Sequence, residues 1–87
     1  MVSKEVTINN PTGLHARPAS EFTRCAAKFK AAVTVSKNGG KAVNAKSMIM
    51  VLSQSIVKGT TITITANGED EAEAVETLSA LAESFSE

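Results

Sequence analysis

The alternation of apolar and polar positions predicts a strand followed by a helix at the start of the chain. Val2, Val6 and Ile8 share one side of an alternating segment that ends at the turn residues NNPTG. From Ala16 onward, apolar residues recur at helical spacing, with charged residues elsewhere on the helical wheel. The apolar positions of this predicted amphipathic helix are Ala19, Phe22, Ala26 and Phe29.

A β-hairpin is predicted next. Val33 and Val35 alternate with Thr34 and Ser36, and the turn KNGGK leads into the short segment AVN. Two further strands follow from this pattern.

A short second helix is predicted after Ser47. The sequence MIMVLSQSI is rich in apolar residues, and Lys58-Gly59 follows it. Because glycine readily adopts the left-handed conformation of a helix exit, we expect the helix to end before this pair.

The last third of the chain predicts one strand and one helix. TTITITA, from Thr60 to Ala66, places isoleucines on one face and threonines on a face expected to be solvated. Asn67-Gly68 closes the strand, and a helix is predicted to begin at Glu69, because the acidic residues of Glu69-Asp70-Glu71 suit a helix N-terminus. The apolar stripe of that helix is Val75, Leu78, Ala82 and Phe85.

The predicted element order is therefore βαββαβα. We expect an α+β fold, an open-faced two-layer sandwich with a small antiparallel four-stranded sheet and three helices on one face. Residues 1–87 are expected to form one domain. The order of the strands within the sheet does not follow from the pattern.

Composition narrows the range of functions. Nine basic residues balance nine acidic ones, which argues against direct nucleic-acid binding. With one cysteine, Cys25, and one histidine, the chain has no disulfide or metal-ligand spacing, and no cofactor is expected. The longest apolar run, Met48 to Leu52, is too short to span a membrane, so we expect a cytoplasmic protein without membrane insertion.

The single histidine, His15, stands where the loop after the first strand meets the first predicted helix. The N–H groups of a first helical turn lack intrahelical partners, and Pro18 has none to offer, which leaves Ala16 and Arg17 as backbone donors. These groups and the Arg17 guanidinium match a phosphoryl group carried on the imidazole. The alternative is a histidine that merely caps a helix. A catalytic triad is excluded for want of partners.

Residues 13–19, GLHARPA, resemble the phosphorylation site of HPr, the histidine-containing phosphocarrier family of the bacterial phosphoenolpyruvate-dependent sugar phosphotransferase system. The NAKS segment and KGTTITITANGEDE extend the resemblance over nearly the whole chain. It implies that His15 accepts a phosphoryl group at Nδ1 from enzyme I and passes it to IIA components of sugar permeases, with Arg17 assisting. Such a protein is a carrier and not an enzyme.

A second motif, VNAKSMIMVL, resembles the regulatory serine site of HPr in Gram-positive and related bacteria. The resemblance implies that an ATP-dependent HPr kinase/phosphorylase modifies Ser47, with a catabolite-control transcription factor as a further partner. The structural alternative for Ser47 is a helix N-cap, and both roles are compatible. A phosphate there would change the charge of the surface that partners meet.

Met48, Ile49 and Met50 are predicted to contact partners, with at least one side chain exposed on so short a helix. Burial of all three in the core is the open alternative. Met50 and Ser55 occupy positions where HPr proteins commonly have glycine, which bears on partner preference.

Two other functions remain open at this point. One is an HPr-like regulator that acts mainly through phosphorylated Ser47 as a transcription-factor corepressor. The other is a small interaction domain without phosphotransfer, because fold alone does not imply function. Whichever function holds, the phosphocarrier included, we expect a monomer.

Overall fold

The computed structural model describes residues 1–11, 13, 14 and 16–85, with the backbone alone described for Ala16. The element order βαββαβα is confirmed. The elements are β1 (Val2–Thr7), α1 (Ala16–Ala27), β2 (Ala32–Lys37), β3 (Val43–Asn44), α2 (Met48–Ser53), β4 (Thr61–Asn67) and α3 (Glu71–Ser84).

The four strands form one antiparallel sheet in the order β1-β4-β2-β3. The last strand in sequence is therefore central, paired with β1 on one side and β2 on the other. Ile62 of β4 lies opposite Val6, and Ile64 lies opposite Val35. These apolar residues are buried on the face that the helices cover. The predicted open-faced α+β sandwich is confirmed.

The core lies between the sheet and the helices. Phe22 of α1 is the largest fully buried side chain, and Leu78 of α3 is also completely buried. Alternate strand positions supply the opposite layer, as a half-buried sheet requires. The strand residues in the core are Val6, Val33, Val35, Val43, Ile62, Ile64 and Ala66.

The uncovered face of the sheet carries mainly hydroxyl side chains. Thr61, Thr63 and Thr65 of β4 are half-buried by their neighbours, so the expectation of a solvated threonine face holds in part. The hydroxyls of Ser3 and Thr65 lie 3.0 Å apart, and those of Thr7 and Thr61 lie 3.2 Å apart. These cross-strand pairs connect the edge strand to the centre of the sheet.

The hairpin between β2 and β3 turns at the predicted place. Asn38 and Gly39 both have positive φ, +48° and +75°, and the Gly40 N–H donates to the Lys37 carbonyl at 2.8 Å. Two consecutive left-handed residues match the twist of antiparallel strands.

Helix α2 ends before Lys58-Gly59, as predicted, but this pair does not form the helix exit. The helix ends at Ser53, and Ser55 adopts a positive φ of +52° in the chain that leaves it. Gly59 has the expected positive φ, +89°, but it lies in the turn before β4. Sequence reasoning assigned the left-handed conformation to glycine because a serine with positive φ is uncommon.

Helix α3 begins at Glu71, after the N-cap residue Asp70, two residues later than predicted. The Asp70 carboxylate does not cap its own helix but accepts hydrogen bonds from the Lys30 N–H at 2.9 Å and the Ala31 N–H at 2.8 Å. These bonds, that of Lys30 first, hold the pKa of Asp70 below its ordinary value. Asp70 thereby links α3 to the connection between α1 and β2.

The apolar stripes of α1 and α3 also extend past the helices. Phe29 and Phe85 follow the last helical residues and are partly buried against the core. Cys25, within α1, packs in the same way, as expected for a structural cysteine.

Candidate functional site

The β1–α1 loop, residues 8–15, is held by the α2–β4 loop, residues 54–60. The Ile8 N–H donates to the Thr60 carbonyl at 2.9 Å, and the Gly59 N–H donates to the Ile8 carbonyl at 2.6 Å. Further along, the Leu14 N–H donates to the Ile56 carbonyl at 2.9 Å. Leu14 and Ile56 are both 2% exposed, and both loops thereby contribute an apolar side chain to the hydrophobic core. The sequence motif around His15 is thus supported by residues more than 40 positions away.

Inside the β1–α1 loop, Asn10 folds the chain back on itself. Its side chain is buried, and its Nδ2 group donates to the Gly13 carbonyl at 2.8 Å. The Gly13 N–H donates in turn to the Asn10 carbonyl at 3.1 Å. Asn10 therefore forms hydrogen bonds with both the N–H and the carbonyl of Gly13.

Gly13 is required by conformation and by space. Its φ is +64°, a region that side chains with a Cβ rarely adopt. A Cβ at this position would collide with the Ile56 carbonyl oxygen and would lie 2.7 Å from the Val57 Cα. The close approach of the two loops depends on the missing side chain.

His15 itself lies outside the described residues. In sequence it joins Leu14 to Ala16, the first residue of α1. Ala16 and Arg17 form the start of the first turn, the Arg17 side chain is exposed, and Pro18 is buried. The first turn of α1 contains no acidic residue that would compete with an anion for the positive end of the helix dipole. The predicted backbone donors therefore lie in a first turn without acidic side chains, and their binding of an anion stays a prediction.

Ser47 is the N-cap of α2, as the structural interpretation predicted. Its backbone is extended, and its side-chain oxygen accepts a hydrogen bond from the Met50 N–H at 3.4 Å. The preceding residue, Lys46, directs its ammonium group to the Phe29 carbonyl near the end of α1, at 2.8 Å. Phosphorylation of Ser47 stays a prediction.

The apolar patch, defined as Met48, Ile49 and Met50, is exposed on α2. The exposed fractions are 37%, 79% and 42%, respectively. The prediction of at least one exposed side chain is confirmed, and the alternative of complete burial was wrong. In this six-residue helix, Val51 is the fully buried residue, so the preceding turn faces solvent. Val57, in the segment between α2 and β4, is a further exposed apolar side chain, 59% exposed, that the sequence reasoning missed.

Sequence reasoning also missed Asn10 and Ile56. Asn10 was interpreted only as a turn residue that ends the first strand, although NNPTG is a longer run of turn residues than a simple strand end requires. The role of Ile56 was not visible in the sequence, because it is the backbone carbonyl of this residue that binds the Leu14 N–H. Of the Met50 and Ser55 positions, Ser55 takes a left-handed conformation suited to glycine.

In the part of the chain that the structure describes, no group of three or more His, Cys, Asp or Glu side chains is placed to hold a metal ion. Within the same residues, no helix combines the length and apolar character needed to cross a membrane.

Residues 2–84 match the family model PTS-HPr, described as the PTS HPr component phosphorylation site. Since this match covers almost the whole chain, the protein belongs to the HPr family of phosphocarriers of the phosphotransferase system. The relatives are named as carriers, not as enzymes.

Individual relatives agree with the family assignment. The phosphocarrier protein HPr of Haemophilus influenzae is 46% identical over 93% of this chain and 94% of its own length. A crystal structure of HPr-C-His from Thermoanaerobacter tengcongensis superposes with a TM-score of 0.92 at 42% identity, over 97% of this chain and 93% of the other.

A third similarity concerns Crh, a catabolite-repression protein of Bacillus subtilis. Its crystal structure, described as an intertwined dimer with a swapping domain, has a TM-score of 0.75 at 41% identity, covering 100% of this chain and 99% of the other. HPr-like relatives that form dimers therefore accompany the phosphocarriers.

Proposed function

We propose that the protein carries a phosphoryl group on His15. In this proposal, Nδ1 of His15 accepts the group from phosphohistidine on enzyme I, which phosphoenolpyruvate has charged, and IIA components of sugar permeases then receive it. The main support for this proposal is the family match over residues 2–84. The family model is described as a phosphorylation site, and the chain has one histidine. The reaction exchanges one P–N bond for another, so no cofactor is required.

The local geometry supports a role for the start of α1. A phosphoryl group on an imidazole is strongly anionic and is stabilised by backbone N–H groups at a helix N-terminus. Ala16 and Arg17 are the proposed backbone donors, and the Arg17 guanidinium supplies a charge-assisted contact. The exposure of Arg17 allows its side chain to follow the group toward a partner.

The test is incubation of the purified chain with enzyme I and phosphoenolpyruvate, followed by intact-mass measurement. We expect a mass gain of one phosphoryl group that is lost in acid and absent in His15→Ala. Acid-labile phosphate that persists in His15→Ala would overturn the assignment of the acceptor.

We propose in addition that phosphorylation of Ser47 by an ATP-dependent HPr kinase/phosphorylase lowers the rate at which His15 is charged. A phosphoserine carries nearly two negative charges at neutral pH. It would lie beside the exposed apolar patch, whose side chains suit contact with enzyme I, IIA components and the kinase. Desolvation of that charge beneath a partner opposes docking, and repulsion by an acidic partner surface would weaken with salt.

The corresponding measurement compares the rate of enzyme I-dependent phosphorylation for unmodified, Ser47-phosphorylated and Ser47→Asp protein at low and high salt. We expect a large reduction in the phosphorylated form and a smaller one in Ser47→Asp, which carries less charge. Equal rates for all three forms would contradict the regulatory proposal.

A regulator that acts mainly through phosphorylated Ser47, as a corepressor of a catabolite-control transcription factor, is the second candidate. The similarity to Crh favours it. Failure of His15 to take up phosphate from charged enzyme I, together with efficient modification of Ser47 by ATP and the kinase, would select this function.

We propose a cytoplasmic monomer as the working form, with residues 1–87 acting as a single domain. The Crh dimer provides the alternative. Sedimentation of the protein over a range of concentrations distinguishes the two states. The average sedimentation coefficient of a dimerising protein rises with concentration, whereas that of a monomer does not.

A further inference from the structure

Asn10 differs from its neighbours in the β1–α1 loop. Its side chain is 3% exposed, whereas Asn9 and Pro11 on either side are exposed. Burying an amide costs free energy unless its polar atoms are hydrogen-bonded, and an apolar residue fills such a space at lower cost. A buried amide that forms specific hydrogen bonds instead selects one loop conformation.

The Asn10 amide acts on the peptide group between Gly13 and Leu14. On one edge of this group, the Gly13 carbonyl accepts from Asn10 Nδ2 at 2.8 Å. On the other edge, the Leu14 N–H donates to the Ile56 carbonyl at 2.9 Å. Because a peptide group is planar, two hydrogen bonds on opposite edges fix its orientation.

The fixed peptide group is one residue from the proposed phosphoryl acceptor. The Leu14 side chain beyond it is buried, so the chain reaches residue 15 from an anchored position. We propose that Asn10 is a positioning residue for phosphoryl transfer, which sets the direction in which the backbone enters His15. The inference rests on the proposed function, in which His15 is the acceptor.

Positioning affects the rate of transfer more than the affinity for a partner. A nucleophilic nitrogen must meet the phosphorus atom in line with the bond that breaks, and small misplacements in such reactions lower the rate strongly. Asn10 is buried, so it offers little surface to enzyme I. Its loss is therefore expected to lower the saturating rate of transfer and to leave KM nearly unchanged.

Asn10→Leu is the decisive variant, because leucine is similar in size and shape but cannot donate to the Gly13 carbonyl. Asn9→Ala, at the exposed neighbour, is the matched control. For each variant, the saturating rate and KM of enzyme I-dependent phosphorylation are measured beside the thermal unfolding curve. We expect Asn10→Leu to reduce the saturating rate roughly tenfold with KM within about twofold of wild type. Asn9→Ala should match wild type in both.

A folded Asn10→Leu protein with a wild-type saturating rate, or with only an increased KM, would overturn the inference while leaving the proposed function intact. If wild-type protein is not phosphorylated by charged enzyme I, both the inference and the proposed function are overturned.

If Asn10→Leu does not fold, the wild-type protein supplies the readout. Its Asn10 side-chain amide resonances should shift on phosphorylation of His15 by more than those of Asn9 in the same nitrogen-15 spectrum. No difference between the two asparagines would overturn the inference.

Discussion

The β1–α1 loop and the start of α2 contain the two proposed phosphorylation sites, and the fold supports them in opposite ways. The β1–α1 loop is tied to a distant loop by backbone hydrogen bonds and depends on Gly13 for close approach. The start of α2 depends on a local cap by Ser47 and exposes three consecutive apolar side chains. The β1–α1 loop is thus held by residues distant in sequence, whereas the start of α2 is held by hydrogen bonds within a few residues.

This difference fits two kinds of task. Transfer of a phosphoryl group between two nitrogens requires a fixed direction of approach, which remote hydrogen bonds supply. A surface that meets several partners requires exposure and adaptable side chains, which methionines on a short helix supply. Substitutions at the buried positions of the β1–α1 loop should therefore affect folding and transfer strongly, and those at α2 should have smaller effects on both.

The largest effect is expected for Gly13→Ala. The alanine must adopt an unfavourable positive φ, and its Cβ must displace the Ile56 carbonyl. The free energy of unfolding should therefore fall by about 3 kcal/mol. Gly59→Ala is the control, because it has a positive φ but no atom within 4 Å of the added group. It should cost only about 1–2 kcal/mol. Denaturant titration measures both, and equal losses would contradict the importance of loop contact.

Arg17→Ala should separate transfer from folding. The guanidinium is exposed, so its removal should change the free energy of unfolding by less than about 0.5 kcal/mol. The rate of phosphoryl transfer should fall roughly tenfold, equivalent to about 1.4 kcal/mol, through loss of a charge-assisted contact. Arg24→Ala, also exposed but in the last turn of α1, is the control. If both variants transfer equally fast, Arg17 has no special role.

Ser55→Gly should stabilise the exit from α2. Serine at φ +52° is strained, and glycine removes that strain at the expense of greater freedom in the unfolded chain. We expect a gain of about 0.5–1 kcal/mol in the free energy of unfolding. Ser53→Gly, at the last helical residue, should instead lower it by about 0.5–1 kcal/mol. A loss of stability in Ser55→Gly would show that the strain is not significant.

Ser47→Ala should have the smallest effect. The cap hydrogen bond is long, 3.4 Å, so its loss should cost about 0.5 kcal/mol, at the low end for an N-cap. His15 should still be charged at the wild-type rate, because the α2–β4 loop that supports the β1–α1 loop is unchanged. Thermal unfolding and the phosphorylation assay check the two parts, and slow charging of Ser47→Ala would show that the regions are coupled.

The parts of the two regions that depend on neighbouring residues could be predicted from the sequence, and the parts that depend on distant contacts could not. The cap role of Ser47 and the exposure near Met48 follow from neighbouring residues, and both were predicted from sequence. The position of the Ile56 carbonyl depends on contact between segments that are far apart in the chain, and no local pattern encodes that contact. The residue that leaves α2 in a left-handed conformation was not predicted for a related reason: Ser55 adopts a conformation that local propensity assigns to glycine.

The sequence by itself determined the elements, because alternating strands and amphipathic helices bury their apolar residues with periods that are visible along the chain. It also determined the family through the residues around His15 and Ser47. Only the tertiary structure decided that β4 lies between β1 and β2, since several strand orders bury the same apolar face. The same packing brings the Ile56 carbonyl to Gly13 and Leu14. Backbone hydrogen bonds of this kind have no side-chain signature, so their partners are selected only when the chain folds.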